Sequence, residues 1–263
     1  MLASRYFVLF IIYSFMGWLY ETVFCTIKTH QWKNRGFLFG PVCPIYGIGA
    51  VAISAIMNNI SYFKNVGYSW WHIFLISFLG SILLEYATSW ILEILFHAIW
   101  WDYSNVPLNI NGRVCLPAAC GFGAAGLLVV YIIAPFTEKM VDSLSMNSIE
   151  IISLLFMALL AVDLTLTISA LTNFARNVVV LSDSLNKYME SFVLEVQEKT
   201  AEASKRIADE RLRFTKAHTE NLLHSMHFHD KFVIQRVRDF KFKKLDIDAS
   251  KEFLHHIKNM IRK

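Results

Sequence analysis

The chain reads as an all-α, polytopic membrane protein with about five transmembrane helices and a helical C-terminal tail. Three observations predict this. Hydrophobic residues make up 55% of the 263 residues and the mean hydropathy is +0.42, while charged residues are only 17%, against roughly a quarter in soluble domains. Several apolar runs reach the ~20 residues a helix needs to cross about 30 Å of hydrocarbon, and the ~10-residue alternation of a membrane β-barrel is absent. The charge is also divided: residues 1–173 carry seven Lys/Arg and eight Asp/Glu, whereas 174–263 carry eighteen and thirteen. A membrane domain over 1–173 is therefore expected to precede a basic, helical tail over 174–263.

The spans are drawn at about 6–27, 41–60, 70–99, 114–137 and 149–174. Arg5 precedes a run too long for a signal-peptide core, and no small-residue cleavage site follows, so the first segment is expected to stay as a helix. The second is the weakest helix. Gly40, Pro41, Pro44, Gly47 and Gly49 crowd its start, and proline removes a backbone donor and disfavours helix in the residue before it. "RGFLFGPVCPIYGIG" therefore reads either as a partly unwound start lining a cavity or as a loop ending just outside the bilayer.

Orientation follows the Lys/Arg bias of the short loops. The connector 28–39 holds Lys28, Lys33 and Arg35, and the tail is basic. With five spans both fall on one side, read as cytoplasmic. The connectors 59–69 and 138–148 are then external, and 100–113 is cytoplasmic.

In the tail, apolar residues from Val178 to Ile207 keep helical spacing, and Glu195–Lys199 and Glu202–Arg206 are supporting i,i+4 pairs. The stripe thins past Val196, which suits a helix packed on itself or on a sister subunit in a homo-oligomer. Further on, Arg236, Arg238, Lys241, Lys243 and Lys244 alternate with Phe240 and Phe242, a pattern suited to anionic membrane lipid. Nucleic acid is not an expected partner.

Carboxylates inside the apolar runs are the sharpest signal. An ionisable group at the bilayer centre costs ~2.5–3.5 kcal/mol or more and usually faces an interior cavity. Glu85, Ser89, Glu93 and His97 fall at a four-residue step on one face of the third span. Asp163 lies mid-way along the fifth span, one turn before Thr167, and Glu21 lies in the last third of the first span, after Gly17 and Trp18. The plainer reading is interhelical hydrogen bonding. Arg35 and Arg113 are the cations placed to reach these acids, as Glu21–Arg35 or Glu93–Arg113 pairs.

The connector "WWDYSNVPLNINGRVCLPAA" is too richly built for a plain loop. Trp100, Trp101 and Tyr103 suit the headgroup level, but an aromatic belt leaves Asp102, Asn109, Asn111 and Arg113 unexplained. A folded loop over the cytoplasmic mouth of a cavity accounts for both sets. The four cysteines form no CxxC pair and read as buried thiols. "HSMHFHD" lacks metal-ligand spacing, and neither GxxxxGKS/T nor GxGxxG occurs, so the chain itself is not expected to hydrolyse ATP. No metal or cofactor is expected.

The combination of "YSFMGWLYET", "NRGFLFGPVCPIYGIGA", the paired glutamates of the third span and "WWDYSNVPLNINGRVCL" resembles the ABC-transporter type IV permease family (CmpB-like bacterial membrane proteins). The likeness covers about residues 8–125, and the fifth span with Asp163 more loosely. It implies a multi-span bacterial inner-membrane protein, a transport role and a separate ATPase subunit. It places weight on Gly17, Trp18, Glu21, Arg35, Gly36, Gly40, Pro41, Pro44, Gly47, Glu85, Glu93, Trp101, Asp102, Tyr103, Asn109, Gly112 and Arg113. The tail's "QRVRDF" is similar to a Gln-Arg-Arg-plus-Phe-Pro element of relatives, without the proline.

The leading expectation is a transport protein that binds a small polar solute, cationic by charge balance. Its substrate-binding residues would be Glu21, Glu85, Glu93, Asp163, Arg35, Arg113, Asp102, Tyr103, Asn109 and Trp18, gated by loops 28–47 and 100–113. Two alternatives stand beside it: a scaffold or receptor working through its tail, and an intramembrane enzyme in which Arg35 and Arg113 hold a lipid-linked phosphate. Of these readings, the enzymatic one is less favoured.

Overall fold

The computed structural model describes residues 2–30, 36–60, 69–196, 228–237 and 239–240, together with single positions between 213 and 226. It is an all-α assembly of long helices with four two-residue strands. Helix α1 (Leu2–Thr29) is followed by α2 (Pro44–Asn59), α3 (Trp70–Phe96), α4 (Leu116–Leu128), a π-helical turn (Val129–Ile133), α5 (Ala134–Asp142), α6 (Met146–Val196) and α7 (Phe228–Arg236). Strands β1 (Ala98–Ile99) and β4 (Asp239–Phe240) pair antiparallel, as do β2 (Asn109–Ile110) and β3 (Val114–Cys115).

Among the described residues four helices are long and apolar enough to cross a membrane: Leu2–Ile27, Trp70–Phe96, Leu116–Asp142 and Met146–Phe174. The second expected span is not among them. Cys43 caps α2 in extended conformation and Pro44 occupies its first turn, where the fixed φ of proline fits and its missing N–H is not needed. What remains is a helix of 16 residues, ~24 Å at 1.5 Å per residue, shorter than the hydrocarbon layer. Gly36 to Cys43, ahead of it, is irregular.

Helix α3 opens on a capping box between Ser69 and His72 and ends where His97 turns left-handed at φ 51°. The helix therefore stops before the expected Ile99, and His97 leaves the line of Glu85, Ser89 and Glu93. The fourth span is three pieces in sequence. Its π-helical turn falls immediately before Pro135, as expected where a proline displaces the regular i→i−4 ladder. Helix α6 runs 51 residues without interruption through the 173/174 boundary, ~77 Å in length. The side chains of the expected Val178–Ile207 stripe, and the basic residues after Phe240, lie outside the described residues.

Small residues set the helix crossings, as expected where packing rather than water exclusion brings helices together. A Cβ on Gly17 would run into Tyr46, and one on Gly47 would collide with Ser14 and come 2.6 Å from the Phe10 carbonyl, so α1 and α2 touch backbone to side chain. Gly123 and Gly126 give α4 the same close fit to Phe74 and Ser77 of α3. Leu79, Leu83, Ile94, Leu95, Ile151 and Leu154 point outward, the surface a bilayer would cover. At one end Arg5 bonds Asp142 at 2.7 Å and lies 3.9 Å from Glu138, joining α1 to α5.

The largest buried cluster lies at the other end. Phe96, Ala98, Trp100, Leu171 and Phe174 pack with Met226, Val233, Ile234 and Val237 of the tail. Trp100 is thus 7% exposed, covered by tail residues rather than standing in a headgroup belt.

Candidate functional site

The connector 97–115 folds into a hairpin that lies back on α3. Asn111 and Gly112 both take positive φ, 52° and 67°, and Arg113 N–H donates to the Ile110 carbonyl at 3.0 Å. That is the Asn-Gly I′ turn, whose twist suits paired strands. The polar residues build the hairpin from within. The Asp102 carboxylate accepts from Ser104 N at 2.9 Å. Asn109 Oδ1 accepts from Gly112 N at 3.0 Å while its Nδ2 donates to the Val106 carbonyl at 2.8 Å. Trp101 Nε1 donates to the Arg113 carbonyl at 2.8 Å. These bonds account for the Asp/Asn richness of the connector without a ligand.

Three side chains then fasten the hairpin to one face of α3. Arg113 Nη2 lies 2.7 Å from Glu93 Oε2, and its Nη1 donates to Ser89 Oγ at 3.2 Å. Asn111 Nδ2 donates to the Tyr86 hydroxyl at 3.1 Å. Tyr103 OH donates to Glu85 Oε1 at 3.3 Å. Glu85, Ser89 and Glu93 are four apart and Tyr86 is three from Ser89, which places them along one side of the helix.

The four acids divide into two kinds. Glu93 is matched by Arg113. Asp163 accepts from the N–H groups of Phe39 and Gly40, at 2.7 and 2.8 Å, and from Thr167 Oγ1 at 3.3 Å. Glu21 and Glu85, by contrast, come to one place. The Cys43 thiol donates to Glu21 Oε2 at 3.8 Å, and Tyr46 lies within electrostatic reach of Glu21, Cys43 and Tyr103. Tyr103 sees both carboxylates, and burial together with their charge pushes its phenol well above the usual range. Glu85 is 5% exposed and its Oε2 has no hydrogen-bond partner among the described residues. Trp18 is half-buried beside Gly36, at the edge of this group. Arg35 lies outside the described residues.

Sequence reasoning missed one residue of this region. Arg236 belongs to the tail pattern read as lipid-facing, yet it is 6% exposed. Its Nη2 donates to the Phe39 carbonyl at 2.8 Å, its Cζ lies 4.2 Å from the Phe232 ring centroid, and burial lowers its guanidinium to about 10 despite the Asp163 charge nearby. The available signal was its flanks, Val233, Ile234 and Val237, which mark a buried turn rather than a solvated one. A recess of about 230 Å³ opens next to this segment, lined by Asn173, Phe174, Arg176, Met226 and Asp230. Among the described residues no His/Cys/Asp/Glu group could hold a metal ion.

The apolar helices and the polar face of α3 fit the class of multi-pass membrane proteins. The chain belongs to the family described as "Putative ABC-transporter type IV", whose model matches residues 8–168. That stretch holds α1 to α5 and the first part of α6 with Asp163. No curated protein and no solved structure matches the chain.

Proposed function

We propose that the chain is a permease of the bacterial inner membrane, with its C-terminus in the cytoplasm, that binds a small amine-bearing or otherwise cationic solute between Glu21 and Glu85. One observation carries this reading: the two acids converge with Cys43, Tyr46 and Tyr103, and Glu85 Oε2 is buried without a partner among the described residues. An orphaned buried carboxylate oxygen is costly. A cation satisfies it, and phenol rings add an attractive face. Glu93 and Asp163 have a different part, since each holds a loop in place. The described part of the first gating loop, 36–43, and the hairpin 100–113 flank the Glu21–Glu85 site on the side from which the tail extends.

The family supports a separate ATPase subunit as the energy source, and a homo-oligomer through the helical tail fits the same scheme. The enzymatic alternative gains less support, because the Arg113 guanidinium it needs for a phosphate is bound to Glu93 and Ser89. The scaffold alternative gains less as well, because Met226, Val233, Ile234 and Val237 of the tail pack against the membrane helices rather than standing apart.

Thermal unfolding of the purified protein in detergent, against a series of monoamines, diamines and choline, tests the reading. A solute at about 100 times its Kd stabilises by ~2.7 kcal/mol, so at least one member should raise Tm by ~5 °C or more. The rise should vanish in Glu21→Gln and Glu85→Gln. A series without any shift, or a shift that survives both substitutions, overturns the proposal. Flux of the binding amine into proteoliposomes then separates a permease from a receptor.

A further inference from the structure

Arg236 and Asp163 hold the same two residues of the loop before α2. Asp163, from α6, takes the N–H groups of Phe39 and Gly40 at 2.7 and 2.8 Å. Arg236, at the end of α7, gives a hydrogen bond to the Phe39 carbonyl at 2.8 Å. The fit at Gly40 is tight, since a Cβ there would come 2.8 Å from Asp163 Oδ2. Phe232, one turn before Arg236, stacks near Phe39 with ring centroids 4.6 Å apart.

The loop also has apolar contacts: Leu38 is 1% exposed, and the Phe37 ring lies against Phe96 and Trp100. Among the described residues its other backbone bonds are Val42 N–H to the Gly40 carbonyl and Cys43 N–H to the Ser14 carbonyl. Gly36 takes φ 122°, so the chain enters the loop in a conformation that favours glycine. The tail, on the other hand, is firmly seated: Val233, Ile234 and Val237 are 2% exposed or less, and β4 pairs with β1. The Phe39–Gly40 peptide is thus held by polar bonds from two other elements, α6 and the seated tail. Local opening at that peptide requires those bonds to break.

We propose that Arg236 is a positioning residue: together with Asp163 it clamps the Phe39–Gly40 peptide, and so the tail segment 228–237 keeps the 36–43 loop closed beside Cys43 and Glu21. Undocking that segment releases the loop and opens the site from the side on which the tail lies. The link to a solute rests on the function proposed above; the clamp itself does not.

Cys43, three residues past Gly40 and 3% exposed, is a built-in reporter. In protein reconstituted into vesicles with Cys25, Cys115 and Cys120 replaced by alanine, N-ethylmaleimide should label Cys43 slowly. Arg236→Ala should speed labelling by about tenfold or more, the factor a hydrogen bond from a charged donor is worth. Asp163→Asn should act in the same direction. Arg236→Lys, which keeps the charge and one donor, should stay close to the parent. A companion protein whose single cysteine is Cys115, 4% exposed and beyond the loop, should label at the parent rate in every variant. Unchanged Cys43 labelling in Arg236→Ala overturns the proposal. So does equal acceleration at Cys115, which is general loosening, or a lysine variant as fast as the alanine one. The readout needs no solute, so a failed amine series leaves it standing, and its own failure leaves the amine site untouched.

Discussion

Arg113 reaches from the hairpin to α3 and sets Nη2 2.7 Å from Glu93 Oε2, with side-chain exposures of 17% and 24%. Neither charge is fully dry, yet both lie where few water molecules can compensate a lost partner. Removing one member of such a pair costs more than removing both. Arg113→Ala is expected to destabilise the protein by ~3 kcal/mol, and Glu93→Gln by less, because the amide still accepts a hydrogen bond. The double substitution should cost less than the sum of the singles. Chemical unfolding in detergent micelles measures each, and additive effects would count against a direct pair.

The turn of the hairpin gives a second expectation. Gly112 sits at φ 67°, and a Cβ there would meet Ser104 Oγ at 2.5 Å and Asp102 Oδ1 at 2.8 Å. Gly112→Ala combines backbone strain with a collision and should cost ~2 kcal/mol or more. Gly80→Ala is the control, since nothing lies within 4 Å of its added Cβ and alanine is the better helix former. It should leave Tm unchanged or slightly higher. Equal losses at the two positions would contradict the turn geometry.

The sequence made the hairpin legible and left the clamp hidden, for a physical reason. Asn-Gly between short apolar stretches specifies its turn locally, and Glu85, Ser89 and Glu93 share a face because helical spacing fixes it. The pairing of Arg113 with Glu93 follows from the same two local facts. Arg236 and Phe39, by contrast, are 197 residues apart, and nothing near either encodes the other. The division of the acids was equally invisible: Asp163 looks like a lone charge until the loop brings two N–H groups to it. The second expected span comes out as a shorter helix for a readable reason, since Pro44 stands in the first turn of α2, whereas hydropathy alone also counts the loop before it.

Alkaline pH should separate two groups outside the spans. Burial and the two nearby glutamates raise the Tyr103 phenol above its usual value of 10.0. Above pH 10 the unfolded chain releases this proton while the folded chain keeps it, so stability falls as pH rises. Arg236 works in the opposite sense. Burial drops its guanidinium from its usual value to about 10 when folded, so between those values the unfolded chain holds the extra proton and stability rises with pH. Tyr103→Phe should therefore flatten the alkaline loss, and Arg236→Gln should steepen it. Urea or detergent-denaturation series from pH 8 to pH 11 read both slopes.

The two kinds of acid lead to the sharpest expectation for function. Glu21 and Glu85 face each other's surroundings through Tyr103 and Cys43, whereas Glu93 is held by Arg113 and Asp163 by backbone N–H groups. Neutralising Glu93 should lower stability without abolishing the amine-induced rise in Tm, because its charge is already matched. Neutralising Glu85 should do the reverse: its orphan oxygen becomes an uncharged amide, so unfolding without ligand should shift little or to higher temperature, while the ligand effect is lost. Crossing stability against ligand shift in Glu85→Gln and Glu93→Gln thus yields opposite patterns. If both substitutions removed the ligand shift equally, the acids would form one four-membered cavity lining after all; if neither did, the solute would bind elsewhere.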